Sequence, residues 1–328
     1  MNQISAAQIF SIKTEEEFET VALQVFRYQA VANPVYRKFL TALRIIPEEI
    51  KQMRDIPFLP IEFFKSHEIW CGENVQPEVV FSSSGTTGMS TSKHPVRNIA
   101  LYEESFRKGF RLFYGDIRQY SVLALLPSYL EREGSSLIYM VDALIHESEK
   151  PASGYFLYNH RELYETLVQL RDQNEKVILI GVTYALLDFI EQYQVDFPNL
   201  IVMETGGMKG KRKEMIREEL HLALTTGFGV ARIHSEYGMT ELLSQAYSKG
   251  NGIFECPAWM RVLVRDTNDP FHYLEEGRTG ALNIIDLANL HSCAFIATQD
   301  LGRLNNRAFE VLGRFDNSDI RGCNLLVQ

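Results

Sequence analysis

Phe81-Ser-Ser-Ser-Gly-Thr-Thr-Gly-Met-Ser-Thr-Ser-Lys93 is a run of hydroxyl side chains and two glycines that ends in a lysine and follows the apolar residues Val79 and Val80. The pattern predicts a strand that opens into a loop able to grip phosphate. Gly85 and Gly88 reach φ values that other residues resist, so successive backbone N–H groups can turn inward and form an anion nest. Ser82, Ser83, Ser84, Thr86 and Thr87 add hydroxyl donors, and Lys93 adds a mobile positive charge. Two residues separate the glycines. A Walker loop needs four there, and Lys-Ser or Lys-Thr after the second glycine, so a Walker-type fold is disfavoured. The competing reading is a flexible Ser/Gly linker, but the flanking apolar strand and the terminal lysine are not linker features.

On the amino-terminal side of this loop, Thr14 and Glu17 have capping-box spacing, and Phe18, Val21, Ala22, Val25 and Phe26 recur on one helical face. Asn33-Pro34 ends that helix. A short helix is expected around Tyr36 to Leu43, and Pro47, Pro57 and Pro60 punctuate an irregular stretch to Phe64. On the carboxyl-terminal side, helical spacing over Asn98 to Tyr114 leads to a strand at Val122 to Leu126. Helices are then expected at Leu137 to Leu144, Arg161 to Leu170, Tyr184 to Tyr193 and Lys211 to Leu224. They alternate with strands at Tyr155 to Leu157, Val177 to Ile180 and Leu200 to Met203. Apolar strands alternating with helices predict the α/β class, with a layered, largely parallel sheet flanked by helices.

From Pro257 the texture changes to short alternating strands at Met260 to Val264, Ala281 to Ile285, Ala294 to Ala297 and Phe309 to Leu312. Gly277, Gly280 and Gly302 supply turns, which predicts a small β subdomain. The expected division is an α/β nucleotide- and acyl-binding body over 1–256, a β subdomain over 257–315 and a carboxyl-terminal tail over 316–328.

The chain has 328 residues, 45% of them hydrophobic, enough for the core of one large or two ordinary domains. A net charge of −9 with scattered lysines argues against binding nucleic acid. No apolar run approaches the ~20 residues of a bilayer span, and the amino terminus lacks a basic region followed by an apolar stretch. Cys71, Cys256, Cys293 and Cys323 lie far apart with no paired spacing, so neither a zinc ribbon nor a disulfide framework is expected. A reducing cytoplasm fits best.

Ligands of open α/β sheets bind beyond the strand ends. After Val202, Gly206 and Gly207 would let a flat ring lie against backbone, or simply form a strand-to-helix turn. After Ile233 comes His234-Ser-Glu-Tyr-Gly-Met-Thr-Glu-Leu242. Here Gly238 permits a tight turn, Tyr237 offers a ring to a purine, Thr240 a hydroxyl, and Glu241 a carboxylate able to ligate Mg²⁺ beside phosphates. The plainer alternative is a polar turn before a helix, with Glu241 as a first-turn acid. His234 has no second histidine at ligand spacing and is left unassigned. Further on, Asp300 can accept hydrogen bonds from ribose hydroxyls and Arg314 can reach a sugar or phosphate.

Taken in order, the Ser-Gly-Thr-Thr-Gly loop with its lysine, Tyr237-Gly-Met-Thr-Glu241, Asp300 and Gly313-Arg-Phe-Asp316 resemble the adenylate-forming superfamily of acyl-CoA synthetases and luciferases. The resemblance implies contact with ATP phosphates for Ser83, Ser84, Gly85, Thr86, Thr87, Gly88, Lys93 and Thr240, and Mg²⁺ binding by Glu241. It implies adenine contact for Gly206, Gly207 and Tyr237, ribose contact for Asp300, and ribose or hinge roles for Arg314 and Asp316. The sequence departs from the family at Gln299, where a glycine usually precedes the aspartate. It departs again after Asp316, where twelve residues stand in place of a mobile domain that supplies a catalytic lysine. Lys93 is not assumed to replace that lysine.

Phe58-Leu-Pro-Ile-Glu-Phe-Phe-Lys65 and the ending Ile320-Arg-Gly-Cys-Asn-Leu-Leu-Val-Gln328 are similar to the acyl-protein synthetases, the long-chain-fatty-acid luciferin-component ligases. This implies activation of a fatty acid as acyl-AMP, transfer of the acyl group to Cys323, and delivery to an acyl-reductase or acyl-carrier partner. An acyl adenylate is a mixed anhydride with AMP as a good leaving group, so a thiolate can attack it without a full triad. Cys323 also reads as a small apolar residue before a terminal Leu-Leu-Val strand. The rival functions are an acid–CoA ligase similar to phenylacetate–CoA ligases, and a catalytically weak subunit that binds acyl chains or nucleotide.

Overall fold

Thr14 and Glu17 form the capping box that their spacing predicts: the Thr14 hydroxyl accepts the Glu17 N–H at 3.2 Å, and the Glu17 carboxylate accepts the Thr14 N–H at 3.2 Å. The computed structural model describes residues 4–72, 76–83, 91–127, 134–206, 212 and 215–315. These fall into two units, one containing residues up to 105, 240–244 and those from 255 on, the other containing 106–239 and 245–254.

The first unit begins with α1 (Ala6–Phe10), α2 (Glu15–Ala32) and α3 (Pro34–Ala42). The expected face of α2 is buried through Phe18, Val21, Ala22, Val25 and Phe26. Asn33 ends α2 and starts α3, its side-chain oxygen accepting the N–H groups of Val35 and Tyr36, each at 3.0 Å, while Pro34 takes the first helical position. Then come β1 (Leu59–Pro60), α4 (Phe63–Ser66), β2 (Val79–Ser82), β3 (Lys93–Val96) and the start of α5 (Ile99–Tyr114), whose residues from 106 on belong to the second unit. β2 and β3, which flank the hydroxyl-rich segment, pair antiparallel from Val79↔Val96 to Ser82↔Lys93. The return strand was not expected from the sequence, because Pro95 lies inside it and proline argues against a ladder position.

The second unit holds β4 (Ser121–Leu125), α6 (Ser136–Ser148), β5 (Gly154–Tyr155), α7 (His160–Asp172), β6 (Val177–Val182), α8 (Thr183–Ile190), β7 (Ile201–Thr205), α9 (Arg217–Phe228), β8 (His234–Tyr237), β9 (Ala246–Ser248) and β10 (Ile253–Glu255). Its strand order is β10-β9-β8-β7-β6-β4-β5. β8, β7, β6, β4 and β5 are mutually parallel, and β9 runs antiparallel to β8. β4 and β6 are buried at every position, as their unbroken apolar runs predict. Two details differ from expectation. α9 starts at Arg217 rather than Lys211, which lies outside the described residues, and His234 to Tyr237 is a strand. Ser235, Glu236 and Tyr237 are buried although polar, so hydropathy carried no strand signal, and a turn rather than a helix follows at Thr240 and Glu241.

The chain returns to the first unit as β11 (Met260–Arg265), β12 (Gly280–Asp286), β13 (Phe295–Asn305) and β14 (Ala308–Arg314), an antiparallel meander. β1 adds to it in parallel, with Leu59 opposite Ile296 and Pro60 opposite Ala297. This pairing draws the amino-terminal segment into the meander's unit, so the units interleave along the chain, whereas the change of texture at Pro257 is a feature of linear sequence. β13 runs eleven residues where four were expected, because Gln299, Asp300 and Arg303 interrupt its apolar pattern. Among the described residues no helix is long and apolar enough to cross a membrane.

Candidate active site

Ser83 and Ser92, on either side of the segment expected to grip phosphate, bond to each other. The Ser83 N–H donates to the Ser92 carbonyl at 3.0 Å, and the Ser92 N–H donates to the Ser83 hydroxyl oxygen at 2.9 Å. Ser83 keeps its own O–H proton to donate. Side chains alternate along an extended strand, so Ser92 and His94 share one face and Lys93 takes the other. Ser92 and His94 are buried, and Lys93 is exposed. Ser84, Gly85, Thr86, Thr87 and Gly88 lie outside the described residues.

The buried face of this strand meets the Thr240–Glu241 strap. His94 Nδ1 is 2.9 Å from the Thr240 carbonyl oxygen, and Nε2 is 2.8 Å from the Ser292 hydroxyl. Burial pushes the His94 imidazole down to about 4, against the raising effect of the Thr240 bond, so the ring is neutral near pH 7. A carbonyl only accepts, which puts the proton on Nδ1 and leaves Nε2 to accept from Ser292. Glu241 is buried as well. Burial raises its pKa, opposed by a hydrogen bond from Ser92 and by the charges of Arg314 and Lys65.

The strap continues into a clamp. Asp286 Oδ2 accepts the N–H groups of Leu243 and Ser244, each at 2.8 Å, and Oδ1 accepts the Ser244 hydroxyl at 2.5 Å. Asn289 donates to the Glu241 carbonyl at 2.8 Å and accepts the Leu243 N–H at 3.1 Å. Both clamp residues are fully buried. Burial raises the Asp286 carboxyl to about 6, opposed by these same bonds.

Asp300 and Arg314 face each other across β13 and β14, with Arg314 Nε 3.3 Å from Asp300 Oδ1. Gln299, in the position where the resemblance expects glycine, donates its side-chain amide to Glu62 at 2.6 Å, and its carbonyl accepts the Phe315 N–H at 2.9 Å. The Arg265 guanidinium lies 5.8 Å from the centre of the Phe315 ring, at the last described residue. Asp316 and Cys323 lie outside the described residues.

In the second unit Gly206 ends β7 at φ +68°, a left-handed value that suits glycine, and its carbonyl accepts the Thr183 hydroxyl at 3.2 Å. Gly207 lies outside the described residues. Tyr237 is buried, with its ring in edge contact with Phe254 at 5.9 Å. Two acids that the sequence reading passed over flank these positions. Thr205 donates to Glu236 Oε2 at 2.5 Å, and burial together with the neighbouring Glu204 lifts Glu236 to about 7 despite that bond. Burial also works to raise Glu204, but His221, Arg217 and Ser235 outweigh it and hold it low. A Cβ on Gly238 would sit 2.3 Å from Glu236 Oε1, which is why the turn needs glycine. His234 bonds the Tyr114 hydroxyl at 3.2 Å.

The structure thus gathers Thr240, Glu241, Asp300, Arg314, Ser83 and Lys93 into one unit, and Gly206 and Tyr237 into the other. Sequence reasoning missed Ser92, His94, Asp286 and Asn289. The only available signal was the alternation of Ser92, Lys93 and His94. Among the described residues no three His, Cys, Asp or Glu side chains group as metal ligands. A single carboxylate such as Glu241 fits Mg²⁺, which takes one or two carboxylates together with phosphates and water.

The sequence profile described as "Acyl-protein synthetase, LuxE" matches residues 7–328. The chain belongs to this family. It is a ligase of the acyl-protein synthetase type. It is 22% identical over 325 residues to a long-chain-fatty-acid–luciferin-component ligase of Vibrio harveyi, with 92% of this chain and 84% of that protein covered. Its fold is similar to an open conformation of 2-hydroxyisobutyryl-CoA ligase in complex with 2-HIB-AMP and CoA, with a TM-score of 0.67, 12% identity, and coverage of 92% of this chain and 70% of that one. It is also similar to ATP-bound MatB from Rhodopseudomonas palustris, with a TM-score of 0.55, 14% identity, and coverage of 72% and 47%. The expected adenylate-forming α/β architecture is the one found.

Proposed function

We propose that this acyl-protein synthetase uses ATP and Mg²⁺ to convert a fatty acid into an acyl adenylate and passes the acyl group to Cys323, from which a reductase or carrier protein takes it. The observation that carries this reading is the seating of the Thr240–Glu241 strap against the strand that follows the hydroxyl-rich segment, through the 2.9 Å bond between His94 Nδ1 and the Thr240 carbonyl oxygen.

In the first step a carboxylate oxygen of the acid bonds to the α-phosphorus of ATP and pyrophosphate leaves. Loop N–H groups, Lys93 and the Thr240 hydroxyl would donate to the phosphates, and Asp300 and Arg314 would hold the ribose. Bound at Glu241, Mg²⁺ would offset charge on the phosphate oxygens. Gly206, Gly207 and Tyr237 are assigned to adenine, with Tyr237 presenting an edge of its ring because Phe254 contacts it. In the second step the Cys323 thiolate bonds to the acyl carbon and AMP leaves with the electron pair. Residues 257–315 are taken as the β subdomain and 316–328 as the acyl-carrying tail. A thiol carrier of this kind suits the reducing cytoplasm.

The test is incubation with ATP, Mg²⁺ and radiolabelled fatty acids of graded length, reading pyrophosphate and protein-bound label. Acid-dependent pyrophosphate with hydroxylamine-sensitive label on wild type but not on Cys323→Ala supports the reading. Label transferred to added CoA instead would make the chain an acid–CoA ligase. Nucleotide binding with no acid-dependent pyrophosphate would make it a binding subunit.

A further inference from the structure

His94 belongs to none of the motifs that mark the site, yet it is fully buried and makes two directed bonds. We propose that His94 is a positioning residue for acid activation: its imidazole pins the Thr240 carbonyl and so fixes the Thr240–Glu241 strap against the strand that follows the hydroxyl-rich segment. The proposal rests on the ligase reading above and adds to it a residue outside the recognised motifs.

Three features support this role. The first is register: Lys93 and His94 are consecutive on β3 and alternate sides, so Lys93 is exposed while His94 is buried and reaches the Thr240 carbonyl. The second is orientation. The edge of the Phe64 ring meets the imidazole at 5.5 Å and 81°, and Ser292 holds the far nitrogen, so the plane of the ring is set from two sides. The third is where the other anchors stop. Asn289 and Asp286 hold the strap at the Glu241 carbonyl and beyond, while the bond at the Thr240 carbonyl is supplied by His94. Loss of that bond lets the strap pivot about Glu241 and shifts Thr240. A misplacement of ~1 Å at a reacting centre is enough to slow chemistry by about 100-fold.

Side-chain geometry supplies a discriminating test. Asparagine places its amide nitrogen near the Nδ1 position and keeps the Thr240 bond, glutamine places its amide near Nε2 and keeps only the Ser292 bond, and phenylalanine keeps the packing on Phe64 but neither bond. Acid-dependent pyrophosphate release is measured for wild type, His94→Asn, His94→Gln and His94→Phe, with thermal unfolding of each. The expected result is a kcat loss of about 30- to 100-fold for Gln and Phe, recovered to within about fivefold by Asn, with the KM for the acid unchanged. Equal losses in all three variants, or losses that track their melting temperatures, would overturn the positioning role. Imidazole ¹⁵N NMR of the wild type gives an independent reading: Nδ1–H and a neutral ring at pH 7 support the proposal, and an Nε2–H or charged ring overturns it while leaving the ligase reading intact. A wild type that releases no pyrophosphate with any acid overturns the ligase reading and the proposal together.

Discussion

Arg314 Nε lies 3.3 Å from Asp300 Oδ1, and the two residues are register partners where the β13–β14 ladder ends. The Arg314 side chain is 70% exposed and that of Asp300 11%, so the pair sits at a surface where ion pairs contribute only ~0–1 kcal/mol to stability. In the proposed function its worth is in presenting two polar groups to the ribose. Arg314→Ala is therefore expected to unfold within about 1 kcal/mol of wild type. Its KM for ATP should rise by roughly tenfold, the loss of one charged hydrogen bond. Chemical denaturation and pyrophosphate release at graded ATP check the two halves separately. A large stability loss with an unchanged KM would show that the pair is architectural.

Glu241→Gln keeps the shape of the side chain and an oxygen to accept from Ser92 but removes the negative charge. Folding should survive, because Glu241 is buried with its pKa already raised and a neutral amide relieves the desolvation. Turnover should fall by about 100-fold or more, as for loss of a preorganised electrostatic group. Its rate should also no longer respond to Mg²⁺ over the range that saturates wild type. A Mg²⁺ titration that overlays on wild type would remove Glu241 from the metal site.

Asp286→Asn tests the clamp. The carboxylate accepts from Leu243, Ser244 and Ala288 N–H groups and the Ser244 hydroxyl, and an amide would turn an NH₂ toward at least one of these donors. Leaving buried donors unmatched should cost about 2–4 kcal/mol in unfolding free energy. Asp286→Asn should also lose turnover through the displaced strap. A variant as stable as wild type would mean the clamp is not held by these bonds.

Glu236→Gln predicts a pH-dependent stability difference. Glu236 is lifted to about 7 in the folded state from an ordinary value of 4.5. Between these values the folded chain binds more protons than the unfolded one, so this group's contribution is complete below pH 4.5 and is lost as the pH rises through 7. The loss is on the order of 3 kcal/mol. Glutamine retains an acceptor for Thr205 and does not ionise. Relative to wild type, Glu236→Gln should therefore gain stability from pH 5 to pH 8, as measured by denaturant unfolding across that range. A pH-independent difference would show that Glu236 titrates normally.

Much of the α/β body was legible because β4 and β6 are buried, largely apolar runs and α2 bears a capping box. Val177 to Val182 and Thr14 with Glu17 could be read locally. β8 was not legible, since His234 to Tyr237 is polar and its burial depends on Thr205 and Tyr114, which are distant in sequence. The same limit governs the site. Thr240, Glu241, Asp300 and Arg314 were singled out from the order of short motifs. Ser92 and His94 were not, because a lone serine and histidine acquire meaning only when a strand's alternation aims them at a segment 146 residues later. Asp286 and Asn289 gave no local signal either. An aspartate after an apolar strand reads as an ordinary cap, and it does also accept the Ala288 N–H at 3.1 Å.

The clamp on the strap has a consequence for the order of assembly. Asp286 is 43 residues downstream of Leu243, and Asn289 is 48 residues downstream of Glu241. Contacts of such separation form only after intervening chain has been ordered. As the chain emerges during synthesis, the phosphate loop and strap appear first and stay without their anchors until β12 and the turn after it have folded. Nascent protein would therefore hold the hydroxyl-rich segment and the strap before the Asp286 and Asn289 anchors that fix the strap, and that fixing would arrive late, with the meander.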